Sequence, residues 1–161
     1  MRDLSLDNLL PQTGKMRLIH HVIKITDDFV QCDMQVNEDN IFYDADIDGI
    51  YTWVGIELMA QAVALFASYH GAGNTPKTGL LLSARQFLNK NKLFSLGDKL
   101  IIEASKVYME GSVAVFNGKI FCRDECVVSA KLNAYQPSES QLKEILKGNK
   151  KNEAGINNWR K

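Results

Sequence analysis

Trp53-Val54-Gly55-Ile56-Glu57-Leu58-Met59-Ala60-Gln61-Ala62-Val63-Ala64-Leu65-Phe66-Ala67-Ser68-Tyr69 is the stretch that decides how this chain folds. Alanine, leucine and methionine dominate it and proline is absent, the composition that costs a helix least. Thr52 stands before it as an N-cap candidate, and His70-Gly71-Ala72-Gly73-Asn74 ends it with glycine where helices stop. The predicted helix is apolar on nearly every face, so either protein or lipid must cover it. Its length approaches that of a transmembrane span. Yet Glu57 and Gln61 interrupt it, no second apolar segment accompanies it, and amphipathic strands surround it. It reads as a helix buried in a protein core, with no membrane role.

Outward from this helix the chain has strand character. Residues 16–26 and 29–36 are rich in isoleucine and valine and predict two strands joined at Thr26-Asp27-Asp28. Asn37 to Gly49 is polar and turn-forming, with Asp44, Asp46 and Asp48 alternating before the glycine. After the helix, strands are expected at Thr78–Phe87, Asp98–Met109, Ser112–Arg123 and Cys126–Gln136. Leu96-Gly97-Asp98, Glu110-Gly111 and Asp124-Glu125 mark the turns between them. Val128, Ala130, Leu132 and Ala134 alternate with Ser129, Lys131 and Asn133, the pattern of an antiparallel strand with one wet face. Pro137-Ser138 opens a short amphipathic helix, Gln141–Lys147, and the Lys/Asn-rich remainder, Gly148–Lys161, is expected to be disordered. The order is two strands, one helix, four strands. A single antiparallel sheet curled around the helix covers most of it, and dimerisation covers the rest.

Bulk composition narrows the function classes. At 161 residues the chain is long enough for one domain with a continuous core, here residues 1–147. Lys+Arg and Asp+Glu each total 19, so the net charge is zero and the basic excess of a nucleic-acid binder is missing. Cys32, Cys122 and Cys126 are odd in number and scattered, without the companions a zinc site needs. No basic region followed by an apolar run opens the chain, so no signal peptide is expected. The expected location is reducing and cytoplasmic.

Three stretches resemble one family. Leu10-Pro11-Gln12-Thr13-Gly14-Lys15-Met16-Arg17-Leu18-Ile19 resembles the Leu-Pro-His opening of bacterial β-hydroxyacyl-(acyl carrier protein) dehydratases. Glu57-Leu58-Met59-Ala60-Gln61-Ala62 is similar to their Glu-x-Met-Ala-Gln-x helix motif. Phe87 to Leu100, through Leu96-Gly97-Asp98, looks like their strand, turn and next strand. The subgroup most similar is the dehydratases of aryl-polyene-type pathways. It shares Asp48-Gly49 before a Trp53-containing helix start, and Asn133-Ala134-Tyr135-Gln136-Pro137 at the last strand. The resemblance implies an α+β hotdog fold, an antiparallel sheet wrapped around one long central helix. It also implies a homodimer whose sheets join edge to edge. The implied substrate is an acyl thioester on the phosphopantetheine arm of acyl carrier protein or coenzyme A, with no cofactor and no metal.

Two positions depart from the family pattern. The main family carries a histidine in a loop before the helix, where this chain has Phe42-Tyr43-Asp44-Ala45-Asp46. The histidine of Leu-Pro-His is replaced by Gln12. Dehydration needs a base for the α-proton and an acid for the departing hydroxyl. Glu57 is the candidate for that work, and Gln61, one turn on, is either its partner at the site or a structural hydrogen-bonding residue. A helix N-terminus can supply the N–H donors that a thioester oxygen needs. Asp44 and Asp46 stand where the missing histidine would be, as substitute acids or as a solvated turn. His20 and His21 read as structural and His70 as a helix cap, while Lys77, Arg85, Lys90 and Lys92 are candidates for a basic patch facing an acidic carrier protein. The leading expectation is a (3R)-hydroxyacyl-carrier-protein dehydratase-like lyase. A silent acyl-binding hotdog subunit that partners an active dehydratase, and an acyl thioesterase, are the alternatives.

Overall fold

The computed structural model describes residues 4–71, 79–138 and 140–148. A short helix, α1 (Leu6–Leu9), precedes two strands, β1 (His21–Ile25) and β2 (Phe29–Gln35). Strand β3 (Gly49–Tyr51) leads into the long helix α2 (Gly55–His70). Strands β4 (Leu80–Asn89), β5 (Leu93–Ser95), β6 (Lys99–Glu110), β7 (Val113–Cys122) and β8 (Glu125–Tyr135) follow, then a helix over 140–148, α3. Six strands form one antiparallel sheet in the order β1-β2-β6-β7-β8-β4, and β3 pairs with β5 apart from it.

Helix α2 lies against one face of this sheet. Val30, Cys32 and Met34 on β2 and Leu100, Ile102 and Ala104 on β6 are buried, and each alternates with a residue that faces away. Leu58, Met59, Ala62, Leu65 and Phe66 of α2 pack onto them, with Phe66 meeting Phe116 of β7 edge-on at 5.3 Å between ring centroids. Each such large side chain contributes about 1.5–3 kcal/mol on leaving water. Gly118 lets the helix come this close, because a Cβ there would overlap the Met59 sulfur.

The turns show why these residues were chosen. Cys122 pairs with Glu125, and Arg123 and Asp124 between them both have positive φ (51° and 64°), the geometry of a type I′ hairpin. That places the turn one residue earlier than the sequence suggests. Asp98 donates its N–H to the Ser95 carbonyl at 3.0 Å, with Gly97 at φ 87° in the position a type II turn reserves for glycine. Ser138 and Gln141 form a reciprocal cap on α3: the Gln141 N–H donates to Ser138 Oγ (3.2 Å) and the Ser138 N–H to Gln141 Oε1 (2.9 Å).

Several boundaries differ from the sequence reading. The first strand begins at His21, not at residue 16, because Gly14–Met16 is a 3-10 turn and the backbone after it bonds to a helix side chain. Thr52 does not cap α2. A 3-10 turn, Thr52–Val54, continues into the helix, and Tyr51 holds the extended conformation that a cap residue needs (φ −64°, ψ 138°). The Thr52 hydroxyl instead donates to the Asn91 carbonyl at 2.9 Å and accepts from Asn89 Nδ2 at 3.0 Å, pinning the helix start to the β4–β5 connection. Strand β4 runs to Asn89, with a register shift between Arg85 and Leu88 and Gln86 at φ 51°. The disorder expected for Gly148–Lys161 lies outside the described residues except for Gly148. Among the described residues no helix is long and apolar enough to cross a membrane.

The β3–β5 pair was not foreseen, since three-residue strands are too short to show alternation. Gly49 pairs with Ser95, and a Cβ on it would overlap the Phe94 carbonyl oxygen, a backbone atom with little freedom to move. Gly49→Ala is therefore expected to cost about 1–3 kcal/mol by overpacking. Thermal denaturation reads this as a fall of several degrees, and an unchanged midpoint would show that β3 and β5 part at no cost.

Candidate active site

A cavity of about 580 Å³ opens beside α2. The helix presents Glu57, Ala60, Ala64 and Ala67 to it, at helical spacing on one half-exposed stripe. The helix is thus not covered on every side: small alanines keep one face open. The opposite wall is the β6–β7 hairpin with Met109, Ser112, Val113 and Phe116, and β8 adds Ala134 and Tyr135. Pro11, Gln12, Thr13 and Met16 close the end near Glu57's side of the chain's N-terminal segment. Tyr135 and Ser112 were not singled out as site residues from sequence. They come from a hairpin and a strand end that only the sheet brings to the helix.

Glu57 sits in the first turn of α2. Its Oε1 accepts from Gln61 Nε2 at 3.1 Å. Gln61 is fully buried, and its orientation is forced. Its Oε1 accepts from the Leu18 N–H at 3.0 Å, and its Nε2 donates to the Met16 carbonyl at 2.9 Å. A backbone N–H can only donate and a carbonyl only accept, so the remaining amide hydrogen must point at Glu57. Among the described residues, Glu57 Oε2 has no hydrogen-bond partner. One hydrogen-bond network thus ties α2 to residues 16–18 and holds the Glu57 carboxylate. The 3-10 turn already engages the Gly55 N–H with the carbonyls of Thr52 and Trp53, so that group is not an open donor at the helix start.

Gln12 also lines the cavity. Its Oε1 is buried with no protein hydrogen-bond partner, the only such side-chain atom among the described residues. An unpaired buried carbonyl of this kind costs about 1–3 kcal/mol. Its backbone carbonyl is held by Arg17 Nε at 3.1 Å, and Arg17 in turn pairs with Asp7 at 2.8 Å.

Asp44 does not join these residues. It is not part of the cavity wall; its Oδ1 accepts from the Asp46 N–H at 2.9 Å, and its backbone pairs with Gly49. Its short side chain closes a turn, which is the solvated-loop alternative. The three histidines are elsewhere too. His20 Nδ1 accepts from the Gln35 N–H at 3.1 Å, and burial holds its pKa below the ordinary value. His21 donates to Asp33 at 2.8 Å. His70 donates Nε2–H to the Thr26 carbonyl at 2.8 Å and packs on Phe66, clamping the helix end to the β1–β2 turn rather than capping its own carbonyls. Lys90 of the expected basic patch is 3.1 Å from Glu125, and Lys77 lies outside the described residues. Among the described residues, Glu57 and Tyr135 are the titratable groups on the cavity wall, and no cluster of His, Cys, Asp or Glu is placed to hold a metal ion.

Several known proteins are similar to this chain. The dehydratase heterocomplex ApeI:P from Xenorhabdus doucetiae is 28% identical and superposes with a TM-score of 0.82, over 90% of this chain and 99% of that one. A hypothetical thioesterase with coenzyme A from Streptococcus pneumoniae is 18% identical, with a TM-score of 0.58 over 73% of this chain and 90% of that one. The PaaI protein from the phenylacetic acid degradation operon of E. coli is 14% identical, with a TM-score of 0.58 over 73% and 78%. The last two share the fold alone, a hotdog fold. No curated protein matches the chain by sequence. The family model for ApeP-like proteins, described as ApeP dehydratase, matches residues 4–147, and this chain belongs to that ApeP-like dehydratase family.

Proposed function

We propose that this chain is a hotdog dehydratase subunit acting on a (3R)-hydroxyacyl thioester, with Glu57 as its acid/base group. The observation that carries the reading is a single carboxylate, held by a buried glutamine, at the wall of a mostly apolar cavity. Elimination removes the α-proton and the 3-hydroxyl, giving a 2-enoyl thioester and water. Glu57 Oε2 takes the α-proton and returns it to the departing 3-hydroxyl, which leaves as water, so the carboxylate ends the cycle ionised as it began. The apolar wall suits an acyl chain, delivered on the phosphopantetheine arm of acyl carrier protein or coenzyme A, and the site of action is the cytoplasm. The test is incubation with 3-hydroxyacyl and saturated acyl carrier-protein thioesters, read by mass spectrometry. Loss of one water from the hydroxyacyl substrate supports the reading. Release of free acid would replace it with a thioesterase.

One observation favours a second reading. No histidine lines the cavity among the described residues, so the chain can serve as an acyl-binding partner of an active hotdog subunit. Similarity to the ApeI:P heterocomplex agrees with that role. In either case the outer edge of β4 is where a second subunit belongs. It ends the sheet with Leu82 and Leu88 60% and 68% exposed, and an unpaired apolar edge recruits another strand. Sedimentation at micromolar concentration is expected to show a dimer. A monomer that dimerises only when an active hotdog subunit is added would select the second reading.

A further inference from the structure

We propose that Gln12 is a specificity-determining residue, whose carboxamide oxygen accepts a hydrogen bond from the 3-hydroxyl of the acyl chain. The inference rests on the thioester-binding reading above and adds how the substrate is told from its saturated counterpart. Gln12 Oε1 is buried at the cavity wall and has no protein donor. A carbonyl oxygen can only accept, so what it lacks is an O–H or N–H.

Its position is fixed from both sides. Pro11 precedes it, Arg17 Nε holds its backbone carbonyl at 3.1 Å, and Gln61 anchors Met16 and Leu18 a few residues on. The same Gln61 amide holds Glu57. One buried side chain thus links the acceptor's segment to the carboxylate, and a ligand that reaches one meets a rigidly related other. Ala60, Ala64, Val113 and Phe116 along the wall offer a hydroxyl nothing.

The chemistry favours the hydroxyl as the donor. A hydroxyl that gives its hydrogen to Gln12 turns a lone pair away from it, free to receive the proton that makes it water. Glutamine cannot supply that proton, so it positions the leaving group without competing with Glu57. The 2-enoyl product has no hydroxyl and loses this bond, which helps it to leave. A pantetheine amide N–H is the other donor that an acyl thioester carries, and the test separates the two.

The experiment measures binding of two non-reacting probes by calorimetry: 3-hydroxyoctanoyl and octanoyl pantetheine analogues with an amide in place of the thioester. The native chain is expected to prefer the hydroxylated probe by about ten-fold, the effect of one otherwise unpaired buried acceptor. Gln12→Met keeps length and removes the acceptor, and should bring the ratio close to one with the melting temperature unchanged or higher. Should the variant weaken both probes equally, the donor is the pantetheine amide and the hydroxyl assignment is overturned. A preference retained in Gln12→Met would overturn the role of Gln12 altogether. Failure of the native chain to bind either probe would instead remove the thioester-binding reading, and this inference with it.

Discussion

Glu57→Gln is expected to lower turnover of a 3-hydroxyacyl thioester by about 10²-fold or more, the usual contribution of a positioned acid or base. The substitution is conservative where it matters for structure. A glutamine oxygen can still accept from Gln61 Nε2, so the network to Met16 and Leu18 survives. What disappears is the group that carries a proton. The melting temperature should hold or rise, because a partly buried charge beside an apolar wall has gone. Steady-state turnover and thermal denaturation on the same preparation make the comparison. If the chain is a silent binder, the variant retains acyl affinity and there is no turnover to lose. An active enzyme indifferent to the change would remove Glu57 from the reaction.

The second large effect is on stability. Gln61→Leu fills nearly the same volume but leaves the Leu18 N–H and the Met16 carbonyl without the partner they have at 3.0 and 2.9 Å. The buried Leu18 N–H so orphaned costs about 1–3 kcal/mol, and the part-buried Met16 carbonyl less, against a small gain from the apolar side chain. The net loss, about 1–3 kcal/mol, corresponds to a fall of roughly 3–12 °C for a chain of this size. Gln61→Glu should fare no better, since a carboxylate cannot donate to the Met16 carbonyl and would face Glu57 with like charge. A midpoint within a degree or two of native for Gln61→Leu would show that other contacts hold residues 16–18. Glu57 would then be oriented by something other than this amide.

Together the two substitutions separate roles that the helix motif joins. Glu57 is the residue whose loss should show in the rate, and Gln61 the one whose loss should show first in the fold. The pairing of Glu57 with Gln61 one turn on is visible in sequence, because residues four apart share a helix face. The third and fourth members, Met16 and Leu18, are not. Nothing in their local sequence says that their backbone groups bond to a helix side chain, and their apolar character reads as strand. The same non-local bond explains why β1 starts at His21.

What the sequence determined by itself is what adjacent residues decide among themselves. An Ala/Leu/Met-rich run without proline makes α2, alternation makes the long strands, and Gly97 and Gly111 mark reversals because few other residues tolerate their positive φ. Ser138 and Gln141 cap α3 through a spacing of three. Resemblance to a family added Glu57 and Gln12. The tertiary structure alone decided what depends on segments far apart in the chain. It put Thr52 on the β4–β5 connection instead of on its own helix, and sent His70 to Thr26. It left Asp44 in a turn, and built the cavity by setting the β6–β7 hairpin and the end of β8 against the alanine stripe of α2. The physical reason is the same in each case. A polar group is bound to find a partner once buried, so its need can be read from its neighbours in sequence, but the partner is whichever group the packing of the sheet on the helix brings within reach.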